Sequence, residues 1–391
     1  MITGAVSEYE NEYNGSRRTQ NMIKKPFKDI ELSRLGLGNM RYILTDPENG
    51  NSPIDRPKAH AVIDSAYENG INYFDTAYVY NSGDSERCLG EAMQKYPRDS
   101  FYIADKFHHH ANPDYEAVFE EQLKRLQTDR IDFYLLHCIM DGNADTYMNC
   151  GCIDYFLKQK ELGRIRYLGF SSHAGPDTLR RFASFRKWDF AQIQLNYYDW
   201  YYNTAKEEYE ILTELGIPVM VMEPVRGGRL ASLTPKAEEV LKNAHPDWSI
   251  PSWAMRFVKS LDNTQVILSG MNSLDQMNDN LNTFSDDAVL SEADQAVLKE
   301  AADLFRADIV VPCTACRYCT EGCPMQINIP EYLKVYNEWK ASGGRPDMDL
   351  YNAVASEGTP DMCIACGACA GICPQSIAIP DLLKELADAV K

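Results

Sequence analysis

From Leu35 onward, short and mostly apolar runs alternate with longer stretches in which apolar residues recur at helical spacing. The apolar runs occupy residues 35–40, 73–77, 101–106, 131–137, 167–171, 191–195, 219–222 and 266–268. Runs of this length without polar alternation predict strands buried on both faces, as in a parallel sheet. Helical stretches fill 58–68, 85–94, 115–126, 155–162, 177–184, 206–215 and 252–260, and two more follow the eighth run, at 274–284 and 293–305. Eight alternations over this length match a closed (β/α)8 TIM barrel of ~250 residues. An open doubly wound sheet shares the alternation, but no GxGxxG follows the first strand, which weakens that alternative.

The last eighty or so residues carry a different pattern, an internal repeat. CTACRYCTEGCPMQINIPEYLK begins at Cys313 and CIACGACAGICPQSIAIPDLLK begins at Cys363, an offset of 50 residues. In both copies I-x-I-P is followed by an acidic residue, a good helix start with Pro in the first turn and a carboxylate near the positive end. The organisation expected is a flexible polar tail over 1–24, a barrel over 25–305 and a smaller, mostly helical domain over 306–391.

Cysteine usage sharpens this picture. Cys88, Cys138, Cys150 and Cys152 are scattered, whereas the other eight of the twelve crowd into positions 313–373. A large chain whose start lacks a basic-then-apolar order reads as cytoplasmic, where clustered thiols indicate metal rather than disulfides. Each copy reads C-x2-C-x2-C-x3-C-P. Four-thiolate zinc sites use paired CxxC units, which explain three close cysteines and a fourth before proline poorly. The motif resembles that of bacterial two-cluster ferredoxins over about 70 residues, whose fourth cysteine ligates the other cluster. The resemblance implies two [4Fe-4S] clusters, one on Cys313, Cys316, Cys319 and Cys373, the other on Cys363, Cys366, Cys369 and Cys323.

In a barrel of this kind the C-terminal strand ends converge on one mouth. Asp75, Lys106 and His137 sit at three such ends, and Tyr80 follows in the next loop. A phenol with a pKa of about 10 is a weak acid, and the Lys106 ammonium, held by Asp75, is expected to lower it. With His137 orienting the carbonyl, the set suits protonation of a carbonyl oxygen as hydride reaches carbon.

At these residues, and through Ser85–Met93, LKRLQTDRIDFYLLH and GRIRYLGFSSH, the chain resembles the aldo-keto reductase family. The resemblance implies an NAD(P)-dependent oxidoreductase that interconverts a carbonyl compound and an alcohol. It assigns Ser171, Ser172 and Gln192 to the nicotinamide carboxamide, with Asn196 assisting. Met222 stands where the family stacks an aromatic on the nicotinamide, Arg226 and Gly227 belong near the pyrophosphate, and Asp279 and Asn280 belong at the adenosine. Where the family places cations for a 2′-phosphate, this chain has Gly270 and Gln276. NADH is therefore expected to be favoured.

His108–His110 are expected at the solvent or substrate rim. The aromatic group from Tyr197 to Tyr202 is expected to pack, Asp84 and Glu86 to face solvent, and Cys150 and Cys152 to be inert. A net charge of −18 disfavours nucleic acid and anionic membranes as partners. A small carbonyl or alcohol substrate is expected, together with an external redox partner if the clusters relay electrons rather than hold structure. The rival expectation is an iron-sulfur electron-transfer protein whose barrel is a docking scaffold or binds another redox cofactor such as a flavin.

Overall fold

The computed structural model describes residues 22–46, 52–307 and 309–391. Strands β1 (Lys24–Phe27) and β2 (Ile30–Ser33) form an antiparallel hairpin. The barrel strands follow: β3 (Leu35–Gly38), β4 (Tyr73–Asp75), β5 (Tyr102–Phe107), β6 (Ile131–Ile139), β7 (Ile165–Ser172), β8 (Phe190–Gln194), β9 (Val219–Met222) and β10 (Thr264–Ser269). They close a parallel barrel in which β10 pairs with both β3 and β9. Each of the eight predicted apolar runs contributes one of these strands, and helices cover their outer faces.

The barrel interior holds Tyr73, Ala104, Leu135, Phe190 and Met220. Side chains alternate between faces along a strand. Two residues further on, the same inward face therefore carries Asp75, Lys106, His137, Gln192 and Met222 to the mouth. The opposite end is plugged by the hairpin, whose Phe27 packs 5.5 Å from Phe133 and 5.1 Å from Tyr167.

That hairpin corrects the end of the expected tail. Residues 1–21 lie outside the described residues, but Ile23 donates to the Phe284 carbonyl at 3.4 Å and Lys24 opens β1. Its two inward residues, Phe27 and Leu32, are flanked by charges and make no readable run. Among the described residues of the barrel, three helices also went unread: Ala144–Asn149, Tyr197–Tyr202 and Pro235–Ala244.

The C-terminal region is helical, with its own core of residues such as Tyr332, Leu333, Ile379, Leu383 and Leu386. The repeat is visible in the backbone. Ala315 and Ala365 both have φ 52°, Arg317 and Gly367 have φ 68° and 77°, and Gln326 and Ser376 have φ 53° and 50°. The proline-led helices Ile329–Ser342 and Ile379–Ala389 each carry the anticipated acid in the first turn. Among the described residues no helix is long and apolar enough to cross a membrane.

Candidate active site

Lys106 is fully buried and donates from Nζ to Asp75 Oδ1 at 2.6 Å and to the Thr76 carbonyl. Its ammonium lies 5.0 Å from the centre of the Tyr80 ring, and His137 meets that ring edge-on at 5.7 Å. The three residues read from strand ends and Tyr80 from the following loop thus converge.

Their electrostatics differ from the sequence expectation in one respect. Burial, reinforced by Asp75, pushes the Tyr80 phenol well above its ordinary value. The ammonium expected to lower it is engaged by Asp75 and a carbonyl, and desolvation dominates. Burial likewise raises Asp75, against the pull of Lys106. His137 is held well below 6.5, first by burial and then by His108 and Lys106, so its ring is neutral at pH 7. His108 stacks edge-on against it at 5.2 Å and is itself lowered to about 4, chiefly by burial.

Behind Lys106 lies a support the sequence reading placed in solvent. Glu86 is fully buried, and its Oε2 accepts from Arg125 at 2.6 Å. Buried Asp105 accepts from the Lys106 backbone N–H at 2.8 Å, and Gln122 donates to the Lys106 carbonyl at 3.0 Å. Asp105 points outward because it alternates with inward-facing Ala104 and Lys106, so it meets Glu86 in the layer between β5 and the helices.

A cleft of about 280 Å³ runs from Asp75 and Tyr80 past Gln192, Met222 and Gly227 to Gly270, Gln276, Asp279 and Asn280. Gln192 donates to the Met222 sulfur at 3.7 Å and leaves Oε1 without a partner. Asn280, which also lines the cleft, donates to Ser269 Oγ at 3.0 Å and leaves Oδ1 free. These two unpartnered amide oxygens fit the amide and amino hydrogens at the two ends of a nicotinamide dinucleotide.

Four of the predicted cofactor residues do not line this cleft. Ser171 accepts from the Cys138 N–H at 2.8 Å, Ser172 accepts from the Ala174 N–H at 3.1 Å, and Asn196 donates to Asp199 at 2.7 Å. Arg226 is buried, paired with Asp199 at 3.0 Å, and donates to the Pro312 carbonyl and to Gln375 Oε1 at 3.0 and 2.7 Å. Both acceptors belong to the C-terminal region. Arg229 donates to the Cys313 carbonyl at 2.8 Å, and Arg41 donates to those of Thr314 and Ala315 at 3.4 and 3.2 Å. Four consecutive main-chain carbonyls are therefore held by barrel arginines. Gly227, at φ 66°, lies so close beneath this loop that a Cβ there would come within 1.9 Å of the Thr314 oxygen.

The eight clustered cysteines surround two hollows. Cys313, Cys316, Cys319 and Cys373 line one, and Cys323, Cys363, Cys366 and Cys369 line the other. The first is the one beside the arginine-held loop. The second is more open: Cys366 is exposed, as are Ile364 (62%) and Met362 (41%).

Residues 34–303 match the aldo/keto reductase family. The chain belongs to that family. Residues 312–378 match the 4Fe-4S dicluster domain, so an aldo/keto reductase barrel is followed by an iron-sulfur domain. A probable aldo-keto reductase of Glycine max is 30% identical over 217 residues, covering 53% of this chain and 60% of that protein. The NADH-specific methylglyoxal reductase of Escherichia coli (strain K12) is 25% identical over 328 residues, covering 70% of this chain and 96% of that protein. Among solved structures, aldo-keto reductase AKR11C1 of Bacillus halodurans in its holo form is similar with a TM-score of 0.57 and 24% identity, over 72% of this chain and 96% of that one. At that identity the likeness concerns the fold. As an aldo/keto reductase, the chain is an oxidoreductase.

Sequence reasoning missed Arg41, His173, Glu223 and Tyr318, all of which line the cleft. For Tyr318 a signal existed. The same position in the second copy of the repeat is Ala368, so cluster binding itself does not require bulk there.

Proposed function

We propose that this aldo/keto reductase interconverts a small carbonyl compound and its alcohol using NAD(P)H, and holds two [4Fe-4S] clusters. The observation that carries the reading is one continuous cleft lined by both Tyr80 and Asn280. NAD(P)H, when bound, supplies hydride to the carbonyl carbon. Tyr80 donates its proton to the carbonyl oxygen as negative charge builds there, and its raised pKa keeps that proton in place until then. Lys106, fixed by Asp75, stabilises the phenolate left behind. Neutral His137 orients the carbonyl oxygen.

Gln192 and Asn280 hold the two ends of the dinucleotide, with Met222 against the nicotinamide and Gln276 and Asp279 beside the adenosine. Gly227 and Gly270 leave room for its phosphates and ribose. Ser171, Ser172, Asn196 and Arg226 act indirectly, by fixing the loops around the mouth. Without a cation at Gly270 or Gln276, NADH is the favoured cofactor, as the name of the Escherichia coli relative also suggests.

The four thiols of each hollow serve as one cluster's ligands, in a domain spanning about 306–391 after a barrel spanning about 25–305. Reduced cluster thiols suit a cytoplasmic setting. The clusters hold the domain's structure or relay electrons for an external partner at the exposed second hollow; they take none directly from NADH, because hydride chemistry moves two electrons together and a cluster accepts one at a time. A second reading, in which the barrel is only a scaffold for electron transfer, is favoured by one observation: the iron-sulfur domain occupies Arg226. Tyr80→Phe separates them. It is expected to lower carbonyl reduction by 10²-fold or more while leaving NADH affinity unchanged. Full activity in Tyr80→Phe would refute the proposed acid, and NADH binding by the wild type without turnover of any carbonyl would favour the scaffold.

A further inference from the structure

Of the described residues lining the cleft, Tyr318 alone comes from the iron-sulfur domain. It sits between Cys316 and Cys319 on the loop of the first hollow, at the start of the short helix Tyr318–Glu321. It shares the lining of the cleft with Asp75, Tyr80 and Glu223, the first two of them members of the proposed catalytic group.

The position of this ring is imposed from the barrel. Arg226, Arg229 and Arg41 hold the carbonyls of Pro312 to Ala315, and the bare backbone of Gly227 lets the loop descend onto the mouth. Three residues beyond this clamp the chain reaches Tyr318. The pseudo-symmetric position holds Ala368, which is exposed. The two copies share their backbone conformation at Ala315 and Ala365, so a large side chain at 318 answers to the barrel and not to the metal.

We infer that Tyr318 is a specificity-determining residue: the cluster loop supplies the outer wall of the carbonyl pocket and restricts it to short aliphatic aldehydes and ketones. The inference rests on the carbonyl-reductase reading above. Because a single methylene in a snug pocket changes discrimination by roughly 10–200-fold, removing the ring beyond Cβ gives a large readout.

The test uses anaerobically purified full-length protein of verified iron and sulfide content. For wild type, Tyr318→Ala and Tyr318→Phe, kcat/KM is measured with NADH on propanal and octanal. The octanal-to-propanal ratio is expected to rise about tenfold or more in Tyr318→Ala and to stay at the wild-type value in Tyr318→Phe, which keeps the ring. In parallel, calorimetry with NAD+ present compares propanoate and octanoate, which require no turnover. Octanoate is expected to bind about tenfold tighter to Tyr318→Ala than to wild type. If Tyr318→Ala loses its clusters, Tyr318→Leu takes its place. An unchanged aldehyde ratio and unchanged octanoate affinity at full iron content would overturn the inference. A gain in octanoate affinity, with no aldehyde reduced by any form, would uphold the wall and overturn the carbonyl-reductase reading.

Discussion

Lys106→Met gives the sharpest check on the electrostatics of the mouth. In the native pair the Asp75 side chain is 5% exposed and the Lys106 side chain 0%. Asp75 Oδ1 accepts from Lys106, and Oδ2 has no partner. Methionine preserves most of the volume, so the substitution leaves a buried carboxylate with neither a cation nor a side-chain donor. Breaking such a pair costs about 3–5 kcal/mol. Lys106 is the main influence opposing the upward push of burial on Asp75, so its loss raises that group further.

A carboxyl whose folded pKa lies above its unfolded value of about 3.9 binds its proton more tightly when folded. Stability is then greatest at low pH and falls as pH rises, by up to about 1.4 kcal/mol per pH unit. The deficit of Lys106→Met relative to wild type is therefore expected to be smaller at pH 5 than at pH 7, the growth being at most about 2.8 kcal/mol over the two pH units. Anaerobic urea unfolding followed by circular dichroism at the two pH values measures it. The double variant Asp75→Asn/Lys106→Met recovers most of the loss, because no charge remains buried. A deficit independent of pH, or a double variant no more stable than Lys106→Met, refutes the reasoning.

Protein purified without oxygen is expected to contain about eight iron and eight sulfide per chain, four of each per cubane; stoichiometric zinc without sulfide would contradict this. Direct binding should show NADH at least as tight as NADPH, and a tenfold preference for NADPH, about 1.4 kcal/mol, would count against the role given to Gly270 and Gln276. Excess NADH alone should leave the clusters oxidised, since a nicotinamide yielding one electron becomes a high-energy radical. Rapid growth of a reduced-cluster electron paramagnetic resonance signal in flavin-free protein would reverse that view.

The barrel and the convergence of Asp75, Lys106 and His137 were legible because a buried parallel strand writes an apolar run, and a charged residue closing such a run can only be at a mouth. The cysteine repeat was legible because its spacing is set by metal geometry. What escaped reading depended on partners far away in the chain. Arg226 looks like a phosphate ligand until Pro312, 86 residues on, is found to accept from it. Glu86 looks like a surface acid on a helix until Arg125 and Asp105 enclose it. The Tyr80 pKa was misjudged for a related reason: proximity to a cation can be inferred from strand ends, but the depth of burial that outweighs it cannot.

The clasp around the iron-sulfur loop also bears on how such a protein changes over time. Three arginines grip it almost wholly through peptide carbonyls, which every amino acid carries. Among the described residues, the one side chain of the iron-sulfur domain that these arginines reach is that of Gln375, in the second copy of the repeat. The seam therefore fixes the height and direction of the loop while making little demand on its sequence, and the thiols at 313, 316 and 319 fix the rest. A residue in between, pointing at neither seam nor metal, is left free to drift. Substrate range in this lineage can accordingly be retuned by exchanging one side chain in a metal-binding loop, with the barrel, the dock and the iron all left as they are.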